Sequence, residues 1–207
     1  MPRFVPGFVV AALAVVCSSS VPVHAGKFNK ALDIGSPAPA WENLEGTDGK
    51  KHSLADLKGK DAVVVVFTCN SCPVAAGYEG RIAAFAKKHA DHVAVVAVNV
   101  NTGRDDALPA MKERAAKKGF PFAYLYDPSQ EVAKRYGAKY TPEFFLLDKD
   151  RKVVYMGAMD DKATGEVQAR YLEDALTALT GGKAAALAET SAAAGCGIRF
   201  NAKKADD

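Results

Sequence analysis

The chain has 207 residues, 49% of them hydrophobic and 25% charged, with 27 basic against 24 acidic side chains and a net charge of +3. That composition excludes a collagenous, mainly disordered or polytopic membrane chain, and the length suits one domain of ordinary size plus a removable segment or tail. The charge is too evenly balanced to point to nucleic acid, and four cysteines are too sparse for a disulfide-stapled miniprotein, so their spacing becomes the question.

Residues 1–25 read as a secretory signal peptide. Arg3 precedes an apolar run from Phe8 to Cys17, and Val23-His24-Ala25 forms a V-x-A site before Gly26. The run is shorter than the roughly 18 apolar residues that a membrane-spanning helix needs. Cys17 has the residue type of a lipoprotein anchor, but Val16 stands where a small residue is normally required, which argues against lipidation. Cleavage after Ala25 leaves 26 basic and 24 acidic residues, and three cysteines: Cys69, Cys72 and Cys196. Export would take the chain to the periplasm or outside the cell, where a cysteine pair can stay oxidised.

Residues 26–40 are rich in Gly, Pro and Ala and read as an extended lead-in with no helical period. Residues 41–44 and 51–53 flank Gly46-Thr47-Asp48-Gly49, a hairpin signal, and Ser53 to Gly59 reads as one helical turn. The β-branched run Ala62 to Phe67 predicts a central strand covered on both faces. A helix follows from Pro73 to Ala90, with Ile82, Phe85, Ala86 and His89 at helical spacing, and then a buried strand from Val93 to Val100.

Asp105 or Asp106 is expected to cap a second helix that Gly119 stops near Lys118. Residues 122–126 predict a third strand and residues 129–136 a short helix. The hairpin strands 143–147 and 152–156 come next, followed by a last helix over 166–180 whose apolar face carries Leu172, Ala175 and Leu176. Residues 183–207 form a tail, Ala-rich at first and closing on Gly195-Cys196-Gly197. A β-α-β-α-β half followed by a hairpin and a helix implies an α/β fold with a central mixed β-sheet between helices, in three layers α/β/α.

Cys69-Asn70-Ser71-Cys72-Pro73 lies where the buried strand ends and the long helix begins. Two thiols at C-x-x-C spacing can close a small disulfide ring, and at this junction they have a redox logic. Proline is favoured at the first helical position, which would place Cys72 at the N-cap, beside free backbone N–H groups and the positive end of the helix dipole. Both stabilise thiolate over thiol. A purely structural role fits less well, because so tight a loop contributes little unfolded-state entropy. A zinc site would need four ligands, and no second C-x-x-C or H-x-x-x-H exists, so no metal is expected.

With Thr141-Pro142 before a later strand, these features make the chain resemble the thioredoxin-like superfamily over about residues 33–180. Its opening Ile34-Gly35-Ser36-Pro37-Ala38-Pro39 and the phrase Phe67-Thr68-Cys69-Asn70-Ser71-Cys72-Pro73 are similar to the AhpC/TSA redoxins, in the peroxiredoxin-like branch. The resemblance implies a thioredoxin-like domain over residues 26–182. It also implies that Pro142 is cis and lies against the cysteine pair, where Thr141 and Pro142 accept a substrate backbone. Aligned with the peroxiredoxin pattern P-x-x-x-T-x-x-C, Cys72 takes the peroxidatic position, but Val65 stands at the proline and Cys69 at the threonine. Val63 stands where thioredoxin carries a buried Asp, and Asn70-Ser71 replaces its Gly-Pro.

The leading expectation is an exported thiol-disulfide oxidoreductase that needs no cofactor. Cys72 would attack a disulfide and Cys69 would resolve the mixed disulfide, leaving Cys69–Cys72 oxidised; the opposite order stays open. Its partners would be a disulfide-bearing protein or small thiol and an unidentified electron donor, with no nucleic acid. One alternative is a thiol peroxidase, with peroxide as substrate and Cys69 or Cys196 condensing with a Cys72 sulfenic acid. A copper-delivery or binding module is the third class, disfavoured because no histidine follows His92. Cys196 reads equally as a resolving cysteine and as an ordinary tail thiol.

Overall fold

The structure, a computed structural model, describes Met1, residues 26–191 and residues 194–201; the expected signal peptide lies outside the described residues. Nine strands and four α-helices run in chain order as β1 (Leu44–Gly46), β2 (Lys51–His52), β3 (Ala62–Thr68), α1 (Pro73–Lys88), β4 (Val93–Asn99), α2 (Leu108–Lys118), β5 (Ala123–Tyr126), α3 (Glu131–Tyr136), β6 (Tyr140–Thr141), β7 (Glu143–Leu147), β8 (Val153–Gly157), α4 (Tyr171–Thr180) and β9 (Cys196–Gly197) among the described residues. Seven strands form one mixed sheet in the order β2-β1-β5-β4-β3-β7-β8. β3, β4 and β5 are parallel, while β7 pairs antiparallel with β3 and β8 with β7. This is the thioredoxin-like α/β architecture expected from the sequence.

The central strand shows why the layers form. Every residue of β3 is buried, and alternate side chains leave opposite faces of a strand, so each face needs its own cover. Val63, Val65 and Phe67 enter a core with Trp41, Tyr136 of α3 and Phe145 of β7. Val64 and Val66 enter the other with Tyr78 and Ile82 of α1, Met111 of α2 and Leu172 of α4. Two successive parallel crossovers put α1 and α2 on one face, and the return from β5 to β7 puts α3 on the other. Among the described residues, no helix is long and apolar enough to cross a membrane.

Two helix starts differ from expectation. Neither Asp105 nor Asp106 caps α2: they lie in a 3-10 turn, Arg104–Asp106, and the N-cap is Ala107, with Pro109 in the first turn. The last helix begins at Tyr171 instead of residue 166, because the preceding amides are engaged elsewhere. Asp161 Oδ1 accepts from Gln168 N at 3.0 Å and Ala169 N at 3.1 Å, and Asp161 N donates to Ala169 O at 3.1 Å. A local carboxylate competes effectively with the helical ladder at such positions.

The tail does not hang free. Met156 N donates to Ala188 O and Thr190 N to Met156 O, which lays residues 188–190 along the β8 edge. Further on, β9 pairs antiparallel with β6, Tyr140 facing Gly197 and Thr141 facing Cys196. This two-stranded sheet brings the tail across the end of β3.

Candidate active site

β3 ends at Thr68, Cys69-Asn70-Ser71 turns the chain, and α1 starts at Pro73 with Cys72 as its N-cap in extended backbone. Pro73 at the first helical position enforces that start, since it has no N–H to leave unpaired. Ala75 N donates to Cys72 Sγ at 3.3 Å, so the sulfur receives one of the helix's unpaired amides. The expected N-cap placement of Cys72 is therefore what the chain adopts. Cys69 and Cys72 are both nearly covered, at 3% and 2% exposure.

The Thr141-Pro142 peptide is cis, as the resemblance implies, and Thr141 sits against both cysteines. Cys69 Sγ lies 3.4 Å from Thr141 Oγ1, and Cys72 Sγ lies 3.2 Å from Thr141 O. The pairing of the sulfurs differs from the expected Cys69–Cys72 bond. Cys72 is disulfide-bonded to Cys196, 124 residues away in sequence with a Cα–Cα distance of 5.9 Å, and Cys69 is the free buried thiol. The reason is β9, whose register sets Cys196 opposite Thr141 and so beside the sulfur that Thr141 O approaches. Thr141 Oγ1 also donates to Cys196 O at 3.4 Å.

Asp106, expected to cap a helix, instead holds the loop between the two cysteines. Its carboxylate is 3% exposed; it accepts from Asn70 N at 2.7 Å, Ser71 N at 3.0 Å and Ser71 Oγ at 2.6 Å. Asn99 Nδ2 donates to Asp106 O at 2.8 Å, tying the 3-10 turn to the end of β4. Asn70 is fixed on its other side, with Tyr124 OH donating to its Oδ1 at 3.0 Å. The Tyr124 hydroxyl is pushed well above its ordinary pKa, above all by burial.

Glu143 supports the other wall. Its buried carboxylate accepts from Lys139 N at 2.7 Å and Tyr140 N at 3.1 Å, orienting the segment that becomes β6. Burial raises its pKa above the ordinary 4.5, and the two backbone donors only partly offset that. No local sequence pattern distinguishes Asp106 or Glu143, because both act on backbone that the fold, not the spacing, brings to them.

An open groove of about 870 Å³ leads to the sulfurs. It is bounded by Cys69, Cys72 and Cys196, the loop from Asn101 to Asp106, and Arg199 of the tail. A buried sulfur at a helix N-terminus, a disulfide partner on a docked strand and a second thiol near the same threonine together equip the groove for thiol-disulfide exchange.

The redoxin profile matches residues 33–176, most of the chain. A thiol-disulfide oxidoreductase named ResA from Bacillus thuringiensis (strain Al Hakam) is 30% identical over 151 residues, covering 72% of this chain and 80% of its own length. Among solved structures, an uncharacterized conserved protein from Geobacillus kaustophilus is 33% identical with a TM-score of 0.76, over 83% of this chain and 94% of its own. A putative thiol:disulfide interchange protein DsbE from Chlorobium tepidum is 29% identical with a TM-score of 0.53, over 60% of this chain and 84% of its own.

Proposed function

The chain belongs to the redoxin family, and from that membership we propose that it is an exported thiol-disulfide oxidoreductase acting on disulfide-bearing proteins, with Cys72 as the attacking sulfur. The observation that carries this reading is the double engagement of Cys72: it is the N-cap of α1, receiving the Ala75 amide, and it is already one half of a disulfide. The ResA and DsbE likenesses support the same reaction class, and the leader-like residues 1–25 support export.

In the reduced chain the Cys72 thiolate attacks a substrate disulfide, forming a mixed disulfide and releasing the first substrate sulfur as a thiolate, which takes up a proton. A second thiol of the chain then attacks Cys72, releasing the other substrate sulfur. Two thiols of the protein are oxidised and one substrate disulfide is reduced; an external electron donor restores the starting state. Two thiols stand ready for the second step, Cys196 as the partner bonded in the structure and Cys69 against Thr141. Cys72 is common to either pairing, which supports its role as attacker over Cys69. Thr141 and Pro142 are the substrate-backbone positions in this reading.

The test uses the chain without residues 1–25 and its Cys69→Ser, Cys72→Ser and Cys196→Ser variants, each titrated against a glutathione couple and read by mass after thiol alkylation. A reversible two-electron oxidation that survives loss of Cys69 or of Cys196 but not of Cys72 is expected. A chain inert to glutathione disulfide sinks the redox reading. Rapid oxidation of Cys72 by hydrogen peroxide to a sulfenic acid would move the assignment to the peroxidase.

A further inference from the structure

The described tail ends on a segment held around the site by strand pairing and side-chain hydrogen bonds. β9 pairs with β6, and Ile198 N donates to Lys139 O at 2.8 Å. Gln130 then grips the chain beyond it: Nε2 donates to Arg199 O at 3.0 Å, and Oε1 accepts from Asn201 N at 2.7 Å. Thr141 Oγ1 completes the set on Cys196 O. An extended strand docked along Tyr140–Thr141, with its cysteine bonded to Cys72, has the covalent and hydrogen-bond arrangement of a mixed disulfide between this site and a peptide.

The side-chain environment of that strand is selective. A Cβ on Gly195 would lie 3.0 Å from Tyr140 Cβ and 3.1 Å from Thr141 O, so a side chain before the cysteine crowds the β6 wall, which must give by a few tenths of an ångström to admit it. At Gly197 a Cβ would meet nothing within 4 Å, so the position after the cysteine is open. Ile198 packs against the core around Trp41 and Tyr136.

We propose that the tail is a tethered copy of the substrate strand, and that the site takes extended polypeptide segments in which glycine immediately precedes the reactive cysteine and an apolar residue stands two places after it. This rests on the oxidoreductase reading above and names its substrate class. Tethering gives the tail a high effective concentration at the edge, so an external segment gains the site once the Cys72–Cys196 bond is reduced and the strand lifts away. The preference is opposite to that of ordinary strand addition, where a β-branched residue is favoured over glycine.

The experiment uses the full chain with Cys17, Cys69 and Cys196 replaced by serine, leaving Cys72 as its single thiol. It is equilibrated with glutathione disulfide and two peptides at equal concentration, Ala-Gly-Cys-Gly-Ile-Arg-Phe, which copies residues 194–200, and the same peptide with valine before the cysteine. Glutathione disulfide is the oxidant: each peptide thiolate attacks it, forming a peptide–glutathione disulfide and releasing one glutathione as its thiol. Cys72 thiolate then attacks the peptide sulfur and expels glutathione thiolate. Intact mass gives the two Cys72–peptide adducts, each normalised to its own peptide–glutathione disulfide so that intrinsic thiol differences cancel.

An excess of about tenfold for the glycine peptide is expected, the size of effect that forced overpacking produces. A ratio below about threefold, or adducts with glutathione alone, overturns the substrate-strand proposal and leaves the exchange chemistry of Cys72 standing. No adduct of any kind at Cys72 overturns the oxidoreductase reading and the proposal together.

Discussion

Cys72 gathers three influences at one sulfur: the helix amide of Ala75, the carbonyl of Thr141 and the bond to Cys196. The residues that keep it there are acidic, and each predicts a measurement. Asp106→Ala leaves the part-buried amides of Asn70 and Ser71 without their acceptor, and the lost charge-assisted hydrogen bonds should cost about 1 kcal/mol, read as a lower urea midpoint. Asp106→Asn retains an acceptor and should recover part of that loss.

Glu143 carries a pH dependence whose direction is fixed. Its folded pKa is raised above 4.5 by burial, so its favourable contribution to stability is full below the unfolded value and is lost as pH rises through the folded value. Glu143→Gln keeps an oxygen for Lys139 N and Tyr140 N but does not ionise. The variant should therefore gain stability relative to the parent as pH is raised from 4 to 7, measured as the difference in unfolding free energy across that range. The N-cap position of Cys72 was legible beforehand because strand, cysteine and Pro73 are neighbours in the chain, whereas the cis Thr141-Pro142 bond was expected only from the family resemblance. Asp106 was legible only as a helix cap, since its true partners stand 35 and 36 residues earlier.

At the scale of elements, β3 organises everything else, because burial on both faces obliges helices to cover it from both sides. Its run of β-branched residues was readable directly, as were the helices at α1, α2 and α3 and the β7–β8 hairpin. The short strands β6 and β9 were not, since two residues carry no period and their pairing spans more than fifty positions. The start of α4 was misplaced for a related reason: Asp161 takes the amides of Gln168 and Ala169, a competition invisible to side-chain periodicity.

One element holds an unmet group. Tyr136 closes α3 inside the core, its ring edge-on to Phe67 at 5.4 Å and to Phe145 at 5.2 Å, while its hydroxyl has no hydrogen-bond partner among the described residues. Tyr136→Phe removes the desolvated hydroxyl and keeps the ring contacts, so it should raise unfolding stability by about 1 kcal/mol in urea denaturation. Phe145→Ala, which deletes a fully buried ring from the same cluster, should cost about 3–5 kcal/mol in the same assay.

Over the whole molecule, the expected strands and helices follow one another in the expected order, with β6 and β9 added to them, and the expected three layers are present. What local patterning could not supply was the path of the tail after Gly182. That path depends on Glu189 accepting the amides of Phe28 at 2.8 Å and Asn29 at 2.6 Å, and on Thr190 meeting Tyr155 OH at 2.7 Å, contacts between the two ends of the chain and an edge strand. The bond from Cys72 to Cys196 has a thermodynamic consequence at this scale. Loops of about a hundred residues lose roughly 4–5 kcal/mol of unfolded-state entropy when closed, so Cys196→Ser should lower unfolding stability by about 4 kcal/mol under non-reducing conditions. With dithiothreitol present, parent and variant should converge.

The same bond turns residues 72–196 into a covalent circle, which the first 71 residues, β3 among them, enter at one end and the last 11 leave at the other. A protease that cuts any exposed turn inside the circle adds one water and releases nothing, so the nicked molecule migrates as a single species on a non-reducing gel. The fragments part only when an electron donor opens Cys72–Cys196. The reduction that frees the site for a new strand is then also the event that decides whether a damaged molecule stays in one piece.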